Sequence, residues 1–193
     1  MHPGFQQFEG AWGPNAQLAW DTLALRPTKG IPSTLLFVMD WALLEEMSGH
    51  PQGAYREKPE DVYRDFQLAC GTCQIDQWIP RNPLTMTDQG FESSTERGPT
   101  TGAEGIILDG MTDRDGNPLM IWAGVSVTTT LPHGTKDDVK KQLKWLVESG
   151  PRVGLFLGGS SSIAPGTNRE NVKTLIEGLR YYRNHGRGYS RPV

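Results

Sequence analysis

The chain has 193 residues, a formal charge of −3 and a hydrophobic fraction of 36%, enough to predict one domain with a buried core. Its 22 acidic and 19 basic residues argue against a dedicated nucleic-acid binder and against a polybasic membrane surface. The sequence shows no apolar run of the ~18 residues that a membrane span needs. It also shows no secretory signal, and its two cysteines do not make a disulfide framework. We therefore expect a soluble protein of the cytoplasm.

Glycine and proline clusters divide the first half of the chain into short elements. Residues 1–15 are expected to form an irregular arm. Apolar spacing then predicts a helix over Gln17–Leu25, a strand over Ile31–Met39, a helix over Asp40–Met47, a helix from Lys58 to about Gln74, and a strand over Ile75–Ile79. In the longest of these helices one face is predicted to consist of Val62, Phe66, Ala69 and Cys73.

The second half of the chain begins with a long polar segment, residues 80–104, whose lack of periodicity is typical of a functional loop or a linker. Beyond it the pattern predicts strands over Gly105–Leu108 and Leu119–Val127, separated by a turn at Asp113–Pro118, then a helix over Lys136–Ser149, a strand over Val153–Leu157 and a last helix capped by Asn168. A strand–helix–strand–helix ending favours an α/β fold with a parallel sheet.

Ligands of α/β proteins bind at the carboxyl ends of the strands, so the loops at those ends are the candidate sites. Four such loops are predicted: Met39-Asp40, Asp109-Gly110, Ser126–His133 and Gly158–Pro165. The loop Gly158–Ser162 is the most suggestive, because small residues let backbone N–H groups approach a phosphate or a carboxylate ahead of a helix. Its candidate binding residues are Ser160, Ser161 and Ser162. The alternative is a flexible turn that only requires small side chains.

Three titratable residues also follow predicted strands or precede helices. His133 could act as an acid–base group or donate to a substrate carboxylate, or it could be an inert surface histidine. Asp40 and Asp109 could be general acids or hydrogen-bond partners of a substrate. The alternatives are a helix N-cap for Asp40 and a turn residue for Asp109.

Cys70 and Cys73 have the C-x-x-C spacing of redox and zinc sites. Such sites need a helix N-terminus or further ligands, whereas this pair falls near the end of a predicted helix. The position favours two packing residues, and no metal site is predicted.

A series of short motifs follows in the second half: Ile121–Ser126, Leu131-Pro132-His133-Gly134-Thr135, Gly154–Leu157, Ser160–Ile163, Pro165-Gly166-Thr167 and Glu170-Asn171-Val172. In this order they resemble the C-terminal part of the uroporphyrinogen decarboxylase superfamily, which includes the cobamide-dependent methyltransferases. Residues 16–79 resemble the opening of the family more weakly, through Ile31-Pro32, Lys58–Val62 and Ile75-Asp76.

This resemblance implies a (β/α)₈ barrel whose active site lies at the C-terminal face. It implies either a decarboxylase (carboxy-lyase) of tetrapyrrole biosynthesis that needs no cofactor, or a methyltransferase that uses zinc and a corrinoid. Ser161 stands where the decarboxylases have a histidine and the methyltransferases have their last zinc-binding cysteine. The family's first-strand arginines are missing, since no arginine occurs between Arg26 and Arg56, and no His-x-Cys motif is present.

Length makes the expected barrel incomplete, because eight strand–helix units usually require about 250 residues. We expect residues 1–193 to form one domain with a barrel-opening part (16–100) and a barrel-closing part (119–187). The leading hypothesis is a shortened decarboxylase-like protein that acts on or binds a tetrapyrrole carboxylate. Alternatives are a corrinoid-dependent methyltransferase-like protein, a non-catalytic remnant or binding module completed by self-association, and an incomplete reading frame.

Overall fold

A computed structural model describes residues 13–75 and 112–187 of the chain. Strands β1 (Ile121–Val125) and β2 (Leu155–Gly159) pair in parallel, with Ile121 opposite Leu155 and Val125 opposite Gly159. The helices are α1 (Pro14–Leu23), α2 (Trp41–Ser48), α3 (Ala54–Glu57), α4 (Pro59–Cys70), α5 (Thr130–His133), α6 (Lys136–Ser149) and α7 (Arg169–His185). The predicted α/β class is therefore confirmed for the described residues. None of these helices is long and apolar enough to cross a bilayer.

The segment 31–39, predicted as a strand, makes isolated parallel bridges instead of a continuous ladder. Ser33 bridges Leu157 of β2, and Val38 bridges Ile163 beyond the end of β2. Between these points Phe37 has a φ of 43°, a left-handed conformation that an extended ladder cannot contain. The prediction of an extended segment beside the sheet was correct, and that of one regular strand was wrong.

Gln74 adds a fourth parallel position, next to residues 33–34. Thr34 bridges Gln74, and the Cys73 amide donates to the Ser33 carbonyl at 2.7 Å. The order across the structure is therefore β1, β2, residues 33–34 and residue 74. Only Ile75 of the predicted strand over Ile75–Ile79 belongs to the described residues, directly after this bridge. Residues 76–111 lie outside the described part of the chain.

Local signals explain ends of three of the helices. Asp40 accepts a hydrogen bond from the Leu43 amide and begins α2, and Gly49 ends it at a φ of 76°. Thr135 and Asp138 form a capping box at the start of α6. Asn168 accepts from the first-turn amides of α7.

Several predicted boundaries were wrong. Helix α1 is Pro14–Leu23 rather than Gln17–Leu25 and so begins within the predicted irregular arm, and β1 is Ile121–Val125 rather than Leu119–Val127. Helix α4 ends at Cys70 rather than near Gln74, because Gly71 adopts a left-handed φ of 68°. Val62 and Phe66 of the predicted face are buried as expected, whereas Cys73 lies beyond the helix and Ala69 is exposed. The other buried residues of α4 are Tyr63, Gln67 and Cys70. Strand β2 begins at Leu155 and includes Gly158 and Gly159, two residues assigned to the following loop.

One hydrophobic cluster contains residues from both described ranges of the chain. The predicted stripe of α6, Val139, Leu143, Leu146 and Val147, packs with Leu157 of β2, and the stripe of α7 joins it. From the first range the cluster includes Leu35, Leu43, Tyr63 and Phe66, each of which is fully buried. The parallel strands therefore lie between helices from both ranges of the chain.

Gly124 in β1 lies directly against the end of β2. A Cβ atom at this position would lie 2.2 Å from the Gly159 carbonyl carbon and 2.3 Å from the Ser160 nitrogen. We expect Gly124→Ala to lower the free energy of unfolding by about 2 kcal/mol or more, because backbone atoms must move to admit the methyl group. Urea denaturation measures this loss. Gly13→Ala, which meets no atom within 4 Å, is the control, and an equal effect of both changes contradicts the prediction.

Candidate functional site

Three segments meet at the carboxyl edge of the parallel strands. The Ser160 amide, just after β2, donates to the Val125 carbonyl at the end of β1 at 2.9 Å. The Met39 amide donates to the Ile163 carbonyl at 3.0 Å. Three of the four loops predicted to carry chemistry are thus adjacent. The fourth contains Asp109, which lies outside the described residues.

Hydroxyl groups line two of these loops, and we call Ser126, Thr128, Thr129, Ser160, Ser161 and Ser162 the hydroxyl cluster. The Ser126 Oγ accepts from the Thr129 hydroxyl at 2.7 Å and from the Thr129 amide at 3.2 Å. The Ser160 Oγ accepts from the Val127 amide at 3.2 Å, which leaves its O–H to be donated elsewhere. These three hydrogen bonds hold the two serine oxygens in place, and a ligand could approach Ser160 because it is exposed.

The two remaining predicted serines lie in the same loop. Ser161 is exposed and Ser162 is half-buried. The sequence of the loops, Ser126–Thr129 and Ser160–Ala164, contains neither an acid nor a base. The arrangement offers hydrogen-bond donors to an anion and supplies no charged group that would repel one.

Asp40 lies at the same edge, but its carboxylate is engaged in structural contacts. Its two oxygens accept from the Arg169 guanidinium, Oδ2 from Nε at 2.6 Å and Oδ1 from Nη2 at 2.9 Å. Oδ1 also accepts from the Leu43 amide at 3.1 Å. The pairing raises the pKa of Arg169 above its ordinary value, chiefly through the hydrogen bond to Asp40. The N-cap interpretation is confirmed, and a role as a general acid stays a prediction.

His133 is the last residue of the short helix α5 and is exposed. Its backbone amide donates to the Thr129 carbonyl at 3.0 Å, so the histidine belongs to the loop that carries half of the hydroxyl cluster. Its predicted acid–base role stays a prediction.

Asn171 organises this loop and was not among the predicted site residues. Only 1% of its surface is exposed, and its Nδ2 donates to the Gly134 carbonyl at 2.7 Å and to the Leu131 carbonyl at 3.1 Å. The sequence did contain a signal for this role. Asn171 lies one helical turn before Leu175 on the apolar side of the predicted helix, where a polar side chain needs buried hydrogen-bond partners.

Cys70 and Cys73 are both buried free cysteines, and the packing interpretation is confirmed for their burial. Burial raises the pKa of the Cys70 thiol to about 12 and raises that of Cys73 as well. Within residues 13–75 and 112–187, no group of three or more His, Cys, Asp or Glu side chains is placed to hold a metal ion.

Removing the Asn171 amide should leave two buried carbonyls without their donor. We expect Asn171→Ala to lower the free energy of unfolding by about 2 kcal/mol or more, measured by urea denaturation. Asn184→Ala is the matched control, because Asn184 is exposed on the same helix. Equal stability of the two variants would show that the buried amide contributes nothing.

The high pKa values of the thiols predict low reactivity in the folded protein. At pH 8 we expect Ellman's reagent to label Cys70 and Cys73 at least about tenfold more slowly in native buffer than in 8 M urea, since the thiolate is the nucleophile and burial restricts access. Absorbance at 412 nm follows the reaction, with glutathione as the reagent control. Rapid labelling of both thiols in native buffer overturns the prediction.

Comparisons with known proteins do not assign the chain to a family. No protein-family model, curated protein or solved structure matches it.

Proposed function

We propose that this protein is a shortened uroporphyrinogen decarboxylase-like protein that binds a carboxylate group of a tetrapyrrole at the carboxyl edge of its parallel strands. The order of the extended segments supports the incomplete barrel. The last strands, β1 and β2, are followed by the earliest segments, residues 33–34 and residue 74. In a closed barrel the last strand lies beside the first, so this order is the one expected around the closing seam.

The hydroxyl cluster is the observation that carries the proposed binding function. Val127 fixes the Ser160 oxygen by donating to it, and the serine proton remains available to a carboxylate. A carboxylate accepts such donors through both of its oxygens. The Asp40 charge at the same edge is balanced by Arg169, so it does not leave a bare negative charge opposing the ligand.

The same contacts favour binding over turnover. Asp40 is held by a two-point pair with Arg169 and by its cap on α2, whereas a general acid must exchange its proton with the substrate. A non-catalytic binding module is therefore the second candidate. Among the predicted acid–base groups that the structure describes, His133 is the one other than Asp40. Such a module could be completed by a second copy of the chain, which sedimentation would show as a dimer.

The methyltransferase alternative requires zinc and a corrinoid. Ser161 stands at the position that corresponds to the last zinc cysteine, and a serine hydroxyl is a poorer zinc ligand than a thiolate. Cys70 and Cys73 lie at the end of α4, on another part of the described chain. This alternative therefore ranks below tetrapyrrole binding.

Spectroscopic titration tests the proposed function. We expect coproporphyrin to show a saturable shift of its Soret band on addition of the protein, and Ser160→Ala/Ser161→Ala to weaken binding by about tenfold, the effect of about 1.4 kcal/mol in lost hydrogen bonds. Ser149→Ala, at the end of α6, is the control. No Soret change, or equal weakening by the control, overturns the proposal, and a change of the cobalamin spectrum alone favours the methyltransferase alternative.

A further inference from the structure

A second candidate site lies at the opposite edge of the strands. A small cavity of about 100 Å³, partly open to solvent, is lined by Thr28, Lys29, Gly30, Ile31, Arg152, Gly154, Leu155 and Arg187. Leu155 begins β2, whereas Ser160 follows its end, so the strand separates the two regions by roughly 13 Å at about 3.3 Å per residue. This cavity is independent of the hydroxyl cluster.

All charged residues that line the cavity are basic. Three of the eight lining residues are cationic, Lys29, Arg152 and Arg187, and none is acidic. Among the described residues, no carboxylate pairs with Lys29 or Arg152 in an ion pair. A lining that contains basic and no acidic residues raises the local concentration of anions.

The walls of the cavity are held in place by backbone contacts. The Arg187 guanidinium donates to the carbonyls of Val147, Gly150 and Pro151 at the end of α6. Gly186, at a φ of 64°, lies against the Lys29 carbonyl, where a Cβ atom would approach to 1.9 Å. The segment that carries Lys29 is thereby packed on the end of α7, and the Ile31 amide donates to the Tyr182 carbonyl. A site whose walls are already ordered does not have to be ordered when the ligand binds.

We propose that this cavity binds a small oxyanion, a phosphate group being the best match. Lys29 and Arg152 supply charge-assisted hydrogen bonds to its oxygens. Arg187 contributes positive charge from a fixed position. The cavity is small but partly open to solvent, so a phosphate fits inside it while any group attached to the phosphate extends outward. The natural ligand class is therefore a phosphorylated small molecule or free phosphate.

Inorganic phosphate is the probe that tests the site in the full-length protein. We expect a saturable dissociation constant by calorimetry or ³¹P line broadening, and a weakening of at least about tenfold in Lys29→Gln/Arg152→Gln. Lys58→Gln/Lys141→Gln removes the same charge from exposed positions outside the cavity and should change the constant less than twofold. Circular dichroism and thermal unfolding of each variant verify its fold.

The result has two other outcomes, and each overturns the proposal. One is the absence of saturable binding at constant ionic strength. The other is equal weakening by both double variants, which would show a nonspecific response to net charge. Glucose 6-phosphate in place of inorganic phosphate then separates the two sources of the anion, since tighter binding indicates a phosphorylated small molecule and weaker binding indicates free phosphate.

Discussion

Helix α7 forms a series of polar contacts that join the two described ranges of the chain. One side carries basic residues at helical spacing, and each meets a group from the first range. Arg169 pairs with Asp40, Lys173 pairs with Glu46, and Arg180 and Arg183 donate to carbonyls at the end of α4. Cations are favoured at the C-terminus of a helix, where carbonyls lack intrahelical partners. The adjacent apolar side of α7 packs into the hydrophobic cluster.

The first turn of α7 also determines the shape of the candidate site. Asn168 begins the helix, Arg169 holds the start of α2, and Asn171 holds the loop that ends in Gly134. Lys136 of α6 reaches Glu170 at 2.9 Å, although so exposed a pair contributes little stability. One helical turn therefore positions both the start of α2 and the loop that carries half of the hydroxyl cluster. The motif Glu-Asn-Val, which supports the resemblance, has this structural explanation whatever the protein binds.

Close backbone packing between the strands positions the serines that follow β2. Gly124 lets the end of β2 approach β1, and Ser160 can then engage both Val125 and Val127. Gly158 has a similar role beside the segment 31–39, because a Cβ atom there would lie 2.4 Å from the Thr34 carbonyl oxygen. The position of the serines thus depends on glycines in both strands as well as on the loop that contains them.

Elements with local signals could be predicted from the sequence, while those set by distant contacts could not. The capping residues and apolar stripe of α6 predicted its bounds, because a capping box and helical periodicity involve neighbours only. The apolar run at 31–39 did not reveal the left-handed Phe37, since the bridges on either side of it are made with Leu157 and Ile163. The end of α4 was missed because periodicity continued past Gly71 to Cys73.

The sequence by itself determined the α/β class, the parallel ending and the loops in which polar side chains follow strands, because these depend on the local alternation of apolar and polar residues. Only the tertiary structure decided how those side chains are used. Asp40 is engaged by a residue 129 positions away, and Asn171 by carbonyls about 40 positions away. The cavity that contains Lys29 and Arg152 likewise joins distant segments. Such pairings arise from packing, which local sequence patterns do not encode.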